Sequence, residues 1–143
     1  MTSRIAGIDH VAITVTDIDR ATDFYRDVLG AVQTSEYAPG GRVLVRSLTI
    51  GGCALNIHQQ GNGIRLVARR PTPGSADVCF RWAGTIEQAE AHLARKGVEV
   101  IDGPAPRFSA DGKPGRSVYF TDPDGNLLEL MSVTSAEGTV APS

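Results

Sequence analysis

The chain has 143 residues, a formal net charge of −2 and 41% hydrophobic residues, which is the composition of an ordinary globular protein with a core of its own. It contains no basic block, so nucleic acid is not an expected partner. No apolar run reaches the roughly 18 residues that a membrane helix needs, and residues 1–7 lack the apolar stretch of a signal peptide. Two cysteines are too few for a disulfide scaffold, and we expect a cytoplasmic protein.

A strand followed by a helix is predicted in residues 8–30. Apolar β-branched residues alternate with smaller or polar residues in positions 10–15, which indicates a half-buried strand with His10 on the face opposite the apolar one. Asp17 is a typical N-cap, apolar residues follow it at helical spacing, and Gly30 is a typical residue just after a helix end.

The same pattern returns in residues 75–97, where Asp77 takes the place of His10. A repeat of this kind indicates two copies of one structural module. Thr85 and Gln88 have the spacing of a capping box, and the second helix matches the first with a slip of one residue. We therefore predict two strand–helix modules.

The last strand of each module also corresponds. Residues 52–58 and 125–131 both begin with glycine, and aligning the glycines places Asn56 opposite Glu129. Alternation puts His58 on the same strand face as Asn56. Each of these strands thus combines an apolar face with a face that carries polar or metal-competent side chains.

Glycine and proline mark the segments between the strands. Residues 61–74 are predicted to link the modules, and residues 134–143 to form a mobile tail. Residues 102–115 contain three prolines and three glycines and are predicted to be a loop, and long ordered loops often serve as lids or binding loops. The remaining strands are predicted at residues 32–37, 42–50, 98–101 and 116–121.

The chain resembles the vicinal oxygen chelate superfamily, which includes glyoxalase I, fosfomycin-resistance enzymes, extradiol dioxygenases and bleomycin-binding proteins. The resemblance covers about residues 6–132 and rests on the duplicated βαβββ pattern and on two segments, DHVAITVTDIDRATDFYRDVLG and VYFTDPDGNLLEL. Three further segments, ALNIH, PGSADVCF and GPAPR, resemble more closely the branch called glyoxalase domain-containing protein 5.

This resemblance implies an α+β fold in which two tandem βαβββ modules form a half-barrel cup. The modules would span about residues 6–60 and 75–132, within a single domain of residues 1–143. The superfamily builds its cups within one chain or across two chains, and we expect a homodimer.

The superfamily takes its metal ligands from the first and last strands of each module. His10 and Glu129 match the usual ligands. Asp77 stands where glyoxalase I has His, and Asn56 stands where it has Glu. His58, two residues past Asn56, is an alternative ligand.

Two ligand sets are open at this point. His10, His58 and Glu129 would form the two-His, one-carboxylate triad that is typical of Fe(II) and O2 chemistry. With Asp77 in place of His58, two carboxylates would favour harder ions such as Mn(II) or Mg(II). We expect the first set, with Asp77 as a fourth ligand or an orienting neighbour. The expected cofactor is a divalent ion: Fe, Mn, Ni or Zn.

The predicted function is that of a metal-dependent enzyme, a glyoxalase-like lyase or isomerase or a dioxygenase, acting on a small molecule with adjacent oxygens. Glu129 and His58 are the expected catalytic groups. The alternative is a metal-free protein of the bleomycin-resistance type that binds a small molecule such as an antibiotic. The residues expected to contact the small molecule are Asn56, Arg81, Ser117 and Tyr119.

Overall fold

A computed structural model describes residues 3–134. Its elements are, in chain order, β1 (His10–Val15), α1 (Ile18–Leu29), β2 (Val32–Tyr37), β3 (Val45–Ile50), β4 (Cys53–Gln59), β5 (Asp77–Arg81), α2 (Ile86–Arg95), β6 (Asp102–Phe108), β7 (Pro114–Thr121) and β8 (Leu127–Ser132). The predicted duplicated βαβββ order is confirmed. The chain forms two compact units, which meet along the sequence between Gly74 and Ser75.

The first unit is a four-stranded sheet in the order β1–β4–β3–β2, with α1 against β3 and β4. Strands β1 and β4 run parallel, and the other neighbours run antiparallel. Asp17 caps α1 as predicted, because its side chain accepts the backbone N–H groups of Asp19 and Arg20. Gly30 ends the helix with a φ of 68°, a conformation that glycine adopts readily. The buried core includes Ile13, Val15, Tyr25, Val28, Leu48, Leu55 and Ile57.

The second unit repeats this arrangement with the sheet order β5–β8–β7–β6 and with α2 against β7 and β8. The predicted capping box of Thr85 and Gln88 is present. Relative to its strand, α2 begins one residue later than α1, which is the predicted slip. The buried core includes Ile86, Ala89, Leu93, Val118, Phe120, Leu128 and Leu130.

Two strand predictions were wrong. Residues 98–101 form no strand, and the strand lies instead at Asp102–Phe108, inside the segment predicted to be a loop. The physical reason is that β6 stands at the edge of its sheet. An edge strand leaves one row of backbone groups unpaired, so Pro104 and Pro106 are tolerated there. Strand β3 begins at Val45 rather than at residue 42, because a short 3₁₀ turn, Pro39–Gly41, precedes it.

The segments outside the two sheets have little regular structure. Residues 61–74, predicted to be a linker, contain no helix or strand. Apart from Thr134, the tail that was predicted to be mobile lies outside the described residues. Thr134 forms an isolated parallel bridge with Thr85. Within residues 3–134, no helix is long and apolar enough to cross a membrane.

Candidate functional site

In the first unit, the predicted site residues lie on the sheet face that α1 does not cover. The parallel pairing of β1 with β4 places His10, Asn56 and His58 on one face. Leu55 and Ile57, which alternate with them along β4, are buried and face the helix side. The alternation read from the sequence thus corresponds to two chemically different faces.

The position of His10 on this face brings it closer to Asn56 than to His58. His10 pairs with Ala54, two residues before Asn56 and four residues before His58. From the usual strand rise and spacing, the Cα atom of His10 lies roughly 8 Å from that of Asn56 and roughly 14 Å from that of His58. His10 and Asn56 are therefore the neighbouring pair.

The imidazole of His10 is oriented by a carboxylate. Its Nδ1 lies 2.8 Å from Oδ1 of Asp9, so Nδ1–H donates to Asp9 and Nε2 keeps its lone pair in the neutral ring. Half of the His10 side chain is exposed. A histidine that binds a metal commonly has this arrangement, with its second ring N–H donated to a carboxylate.

The amide of Asn56 is held from the neighbouring strand. Ser47 on β3 pairs with Asn56, and its hydroxyl donates to Asn56 Oδ1 at 2.8 Å. This bond engages the oxygen of Asn56, the atom that would bind a metal, and orients the NH2 group as a donor. The geometry is better suited to contacting a small molecule than to coordinating a cation.

His58 differs from His10 in the group that faces its Nδ1 atom, which is an amide donor instead of a carboxylate acceptor. Its Nδ1 lies 3.3 Å from Nδ2 of Asn62. The Asn62 amide is oriented by two further bonds: its Oδ1 accepts the backbone N–H of Ile64 at 3.0 Å, and its Nδ2 donates to the carbonyl of Leu44 at 3.2 Å. An NH2 group can only donate, so Nδ1 of His58 is the acceptor and Nε2 carries the proton. Burial lowers the pKa of His58, which favours this neutral form.

The second unit has the same register as the first. Asp77 on β5 pairs with Leu127, two residues before Glu129 on β8, just as His10 is placed relative to Asn56. Asp77, Glu129 and the β7 residue Tyr119, which pairs with Glu129, share the face away from α2. His10 and Asp77, like Asn56 and Glu129, therefore occupy equivalent positions in the two units.

Glu129 is a buried carboxylate, only 9% exposed. The thiol of Cys79, opposite it on β5, donates to Glu129. Desolvation and this neighbouring carboxylate raise the pKa of Cys79 to about 12, so the thiol is protonated at neutral pH. Within residues 3–134, no Lys, Arg or His forms an ion pair with Glu129. Arg107 interacts with Glu129 electrostatically but forms no salt bridge with it. Because a buried carboxylate without a directly paired cation is costly, the surroundings of Glu129 suit a bound cation.

Arg107 joins this face and was missed by the sequence analysis. Its Nε donates to the Tyr119 hydroxyl at 2.7 Å, and its guanidinium carbon lies 5.4 Å from the centre of the Tyr119 ring. The bond to Tyr119 raises the pKa of Arg107. The segment Ala105–Phe108 reads Ala-Pro-Arg-Phe, which has no regular alternation of polar and apolar residues, so the sequence held no strand signal that would have placed Arg107 on this face.

The two remaining predicted contact residues differ in their surroundings. Ser117 is fully buried, and its hydroxyl has no hydrogen-bond partner within residues 3–134. Arg81 is half exposed, and its Nη2 lies 3.6 Å from a carboxylate oxygen of Asp111, in the turn between β6 and β7. Ser117 therefore has an unused hydroxyl, whereas Arg81 is already paired.

The sequence model of the Glyoxalase/Bleomycin resistance protein/Dioxygenase superfamily matches residues 7–130. The chain belongs to this superfamily. It is 37% identical to Glyoxalase domain-containing protein RDO1 of Mycosarcoma maydis, over 93% of this chain and 72% of that protein. It is 38% identical to Virulence protein STM3117 of Salmonella typhimurium, over 86% of this chain and 81% of that protein.

Solved structures of the superfamily share the fold. The integron cassette protein VCH_CASS1 from the mobile metagenome of V. Cholerae has a TM-score of 0.83 and 36% identity, over 94% of this chain and 100% of that chain. The chain is also similar to proteins with names as different as metallothiol transferase FosB and ethylmalonyl-CoA/methylmalonyl-CoA epimerase, and in fold alone to the antibiotic-binding protein TnmS3. The names of these proteins thus include both enzymes and a binding protein.

The donor groups of this member fit a divalent cation, although neither unit supplies a full set. Over residues 3–134, neither unit groups three His, Cys, Asp or Glu side chains closely enough to hold a metal ion. One imidazole nitrogen from His10 and carboxylate oxygens from Asp77 and Glu129 are donors that Mn²⁺ and Fe²⁺ accept. Each unit thus supplies metal-competent donors, but neither supplies a complete ligand set within the described residues.

Proposed function

We propose that this superfamily member is a metal-dependent enzyme of the lyase or isomerase type, acting on a small molecule with two neighbouring oxygens. The observation that carries the proposal is the buried carboxylate of Glu129, which forms no salt bridge among residues 3–134 and has only a longer-range electrostatic interaction with Arg107. When bound, a divalent ion supplies Lewis-acid stabilisation of an enolate or oxyanion.

The proposed ligands are His10, Asp77 and Glu129. His10 is supported by its bond to Asp9, which leaves Nε2 free to coordinate. Asp77 is supported by its register, since it stands in the second unit where His10 stands in the first. Two carboxylates and one imidazole favour a hard or borderline ion such as Mn²⁺ over a soft one.

The other residues of the two faces orient the substrate. The NH2 group of Asn56 is a donor for a substrate oxygen. Tyr119 accepts a bond from Arg107, so its own hydroxyl proton remains for a substrate oxygen, and the guanidinium of Arg107 lies close enough to favour a negative charge there. The hydroxyl of Ser117 is fully buried among the described residues, so Ser117 is not proposed to contact the substrate.

His58 is proposed to lie outside the ligand set. The donor group of Asn62 faces its Nδ1, so a metal on Nε2 would leave two donors facing each other. Its Cα atom also lies roughly 14 Å from that of His10. The dioxygenase function, which requires His10, His58 and Glu129 as a triad, is for these reasons the less favoured proposal.

Metal content of two variants tests this assignment. Asp77→Asn is expected to lower the affinity for Mn²⁺ by about 10-fold or more, because it removes one ligand charge, whereas His58→Ala retains the metal. Both are purified without chelator, loaded with Mn²⁺ and analysed by elemental mass spectrometry. Loss of metal from His58→Ala with retention in Asp77→Asn would instead support the triad and the dioxygenase proposal.

A metal-free binding protein is the second candidate function. It is favoured by Asn56, a neutral residue at the position equivalent to Glu129. The antibiotic-binding protein TnmS3 has a TM-score of 0.68 and 22% identity, which is a likeness of fold alone. Parent protein that holds no metal after loading with Mn²⁺, Fe²⁺, Ni²⁺ and Zn²⁺ in turn would select this candidate.

We expect the chain to act as one functional domain and to assemble as a homodimer. Light scattering at micromolar concentration is expected to give twice the chain mass of 15.1 kDa. Homodimers with twofold (C2) symmetry are the commonest soluble oligomers, and the superfamily can build cups across two chains. A monomeric mass would contradict the dimer without affecting the ligand set. Membership of the glyoxalase domain-containing protein 5 branch and a cytoplasmic location stay predictions.

A further inference from the structure

The first unit contains a small pocket at the ends of β1 and β4. Its volume is about 120 Å³, less than the roughly 300–1,000 Å³ of pockets for drug-sized ligands. The segment after β4 covers it, so the pocket is built from the sheet on one side and from residues 61–71 on the other. The residues that matter for its chemistry are Thr14, His58, Asn62, Ile64, Val67 and Pro71.

Two polar groups of the sheet meet at this pocket. Thr14 and His58 are neighbours across the parallel strands β1 and β4, which lie about 4.8 Å apart. Asn62 occupies Nδ1 of His58, which leaves Nε2–H as the donor of this ring. The hydroxyl of Thr14 makes no hydrogen bond within the described residues, and can donate or accept. A single oxygen atom could receive hydrogen bonds from both side chains.

The rest of the lining is apolar and uncharged. Ile64, Val67 and Pro71 form the opposite wall, and no Asp, Glu, Lys or Arg is among the described residues that line the pocket. An anion buried here would lose its hydration without gaining a cation. A neutral group keeps its hydrogen bonds and buries its apolar part.

We propose that this pocket binds the carbonyl end of a small uncharged molecule, such as an amide or ketone with a short branched alkyl group. The carbonyl oxygen accepts from His58 Nε2–H and from the Thr14 hydroxyl, and the alkyl group contacts Ile64, Val67 and Pro71. The site lies entirely in the first unit. It requires no metal, so it is independent of the function proposed above.

In the first test, isobutyramide is titrated into metal-free protein, and its binding is measured by NMR of the histidine rings. Saturable shifts of the His58 resonances, with a millimolar dissociation constant, are expected, while His92 does not respond. The His58 ring should also show the Nε2–H tautomer. An Nδ1–H tautomer, or no saturation at probe concentrations up to about 100 mM, would overturn the proposal.

Matched variants and a charged analogue complete the design. Thr14→Val keeps the shape of the side chain and removes one hydrogen bond, so the dissociation constant should rise about 2- to 10-fold. Thr121→Val, on an exposed position of β7, is the control and should leave binding unchanged. Isobutyrate has nearly the same shape with a negative charge and is expected to bind more weakly. Equal binding to parent and Thr14→Val, or tighter binding of isobutyrate, would each contradict the proposed chemistry.

Discussion

Glu129→Gln is expected to remove most of the bound metal while leaving the fold intact. The amide has the size of the carboxylate but lacks its charge, and even the loss of a residue that supports a metal ligand typically costs 10- to 100-fold in affinity. Without metal, the variant should be as stable as the parent or more stable, because it no longer buries a charge. Elemental analysis measures the first effect, and thermal unfolding in chelator measures the second.

A stabilisation experiment with added Mn²⁺ distinguishes a lost ligand from a damaged fold. A ligand at 100 times its dissociation constant stabilises the folded state by about 2.7 kcal/mol, so the parent should gain thermal stability and Glu129→Gln should gain almost none. Glu99→Gln removes the same charge from an exposed position and should behave like the parent. Equal metal content in Glu129→Gln and the parent would exclude Glu129 from the ligand set.

The parts of the fold that could be predicted depend on local sequence. The cap of α1 at Asp17 and the capping box of Thr85 and Gln88 each depend on residues within one turn of a helix, and the repeat was visible as a pattern. Strand β6 was missed because Pro104 and Pro106 normally argue against a strand. Only the sheet order shows that β6 is an edge, and sheet order depends on pairing between distant segments.

In the candidate site, too, the features set by local sequence could be predicted, and those set by contacts between distant segments could not. Alternation within β4 placed Asn56 and His58 on one face, but the separation of His10 from His58 depends on the register of two parallel strands that are far apart in the chain. The expectation that His58 would be a metal ligand rested on the softness of imidazole. It did not include Asn62, whose contact with His58 is made by a segment without regular structure and has no sequence signature.

Asn126 is the residue that joins the two strands carrying Asp77 and Glu129, and it is only 1% exposed. Its Oδ1 accepts the backbone N–H of Ala76 at 2.9 Å, directly before β5. Its Nδ2 donates to Asp122 Oδ2 at 2.7 Å, in the turn before β8. Both contacts are buried or partly buried, so their removal would leave the backbone N–H of Ala76 without this acceptor and would take one hydrogen bond from the carboxylate of Asp122.

Asn126→Ala is therefore expected to lower the free energy of unfolding of the second unit by about 2–4 kcal/mol, since a buried N–H left unpaired costs about 1–3 kcal/mol and the lost hydrogen bond to a carboxylate costs about 1.5 kcal/mol or more. The equivalent residue of the first unit, Cys53, is exposed and makes only a 3.4 Å contact from its sulfur to the carbonyl of Ile8. Cys53→Ala is the matched control and should change stability by about 0.5 kcal/mol or less. Urea unfolding followed by the fluorescence of Trp82, the one tryptophan of the chain, reports on the second unit, and circular dichroism reports on both. If Asn126→Ala were no more destabilising than Cys53→Ala, the alignment of β5 with β8 would have to come from the strand pairing itself.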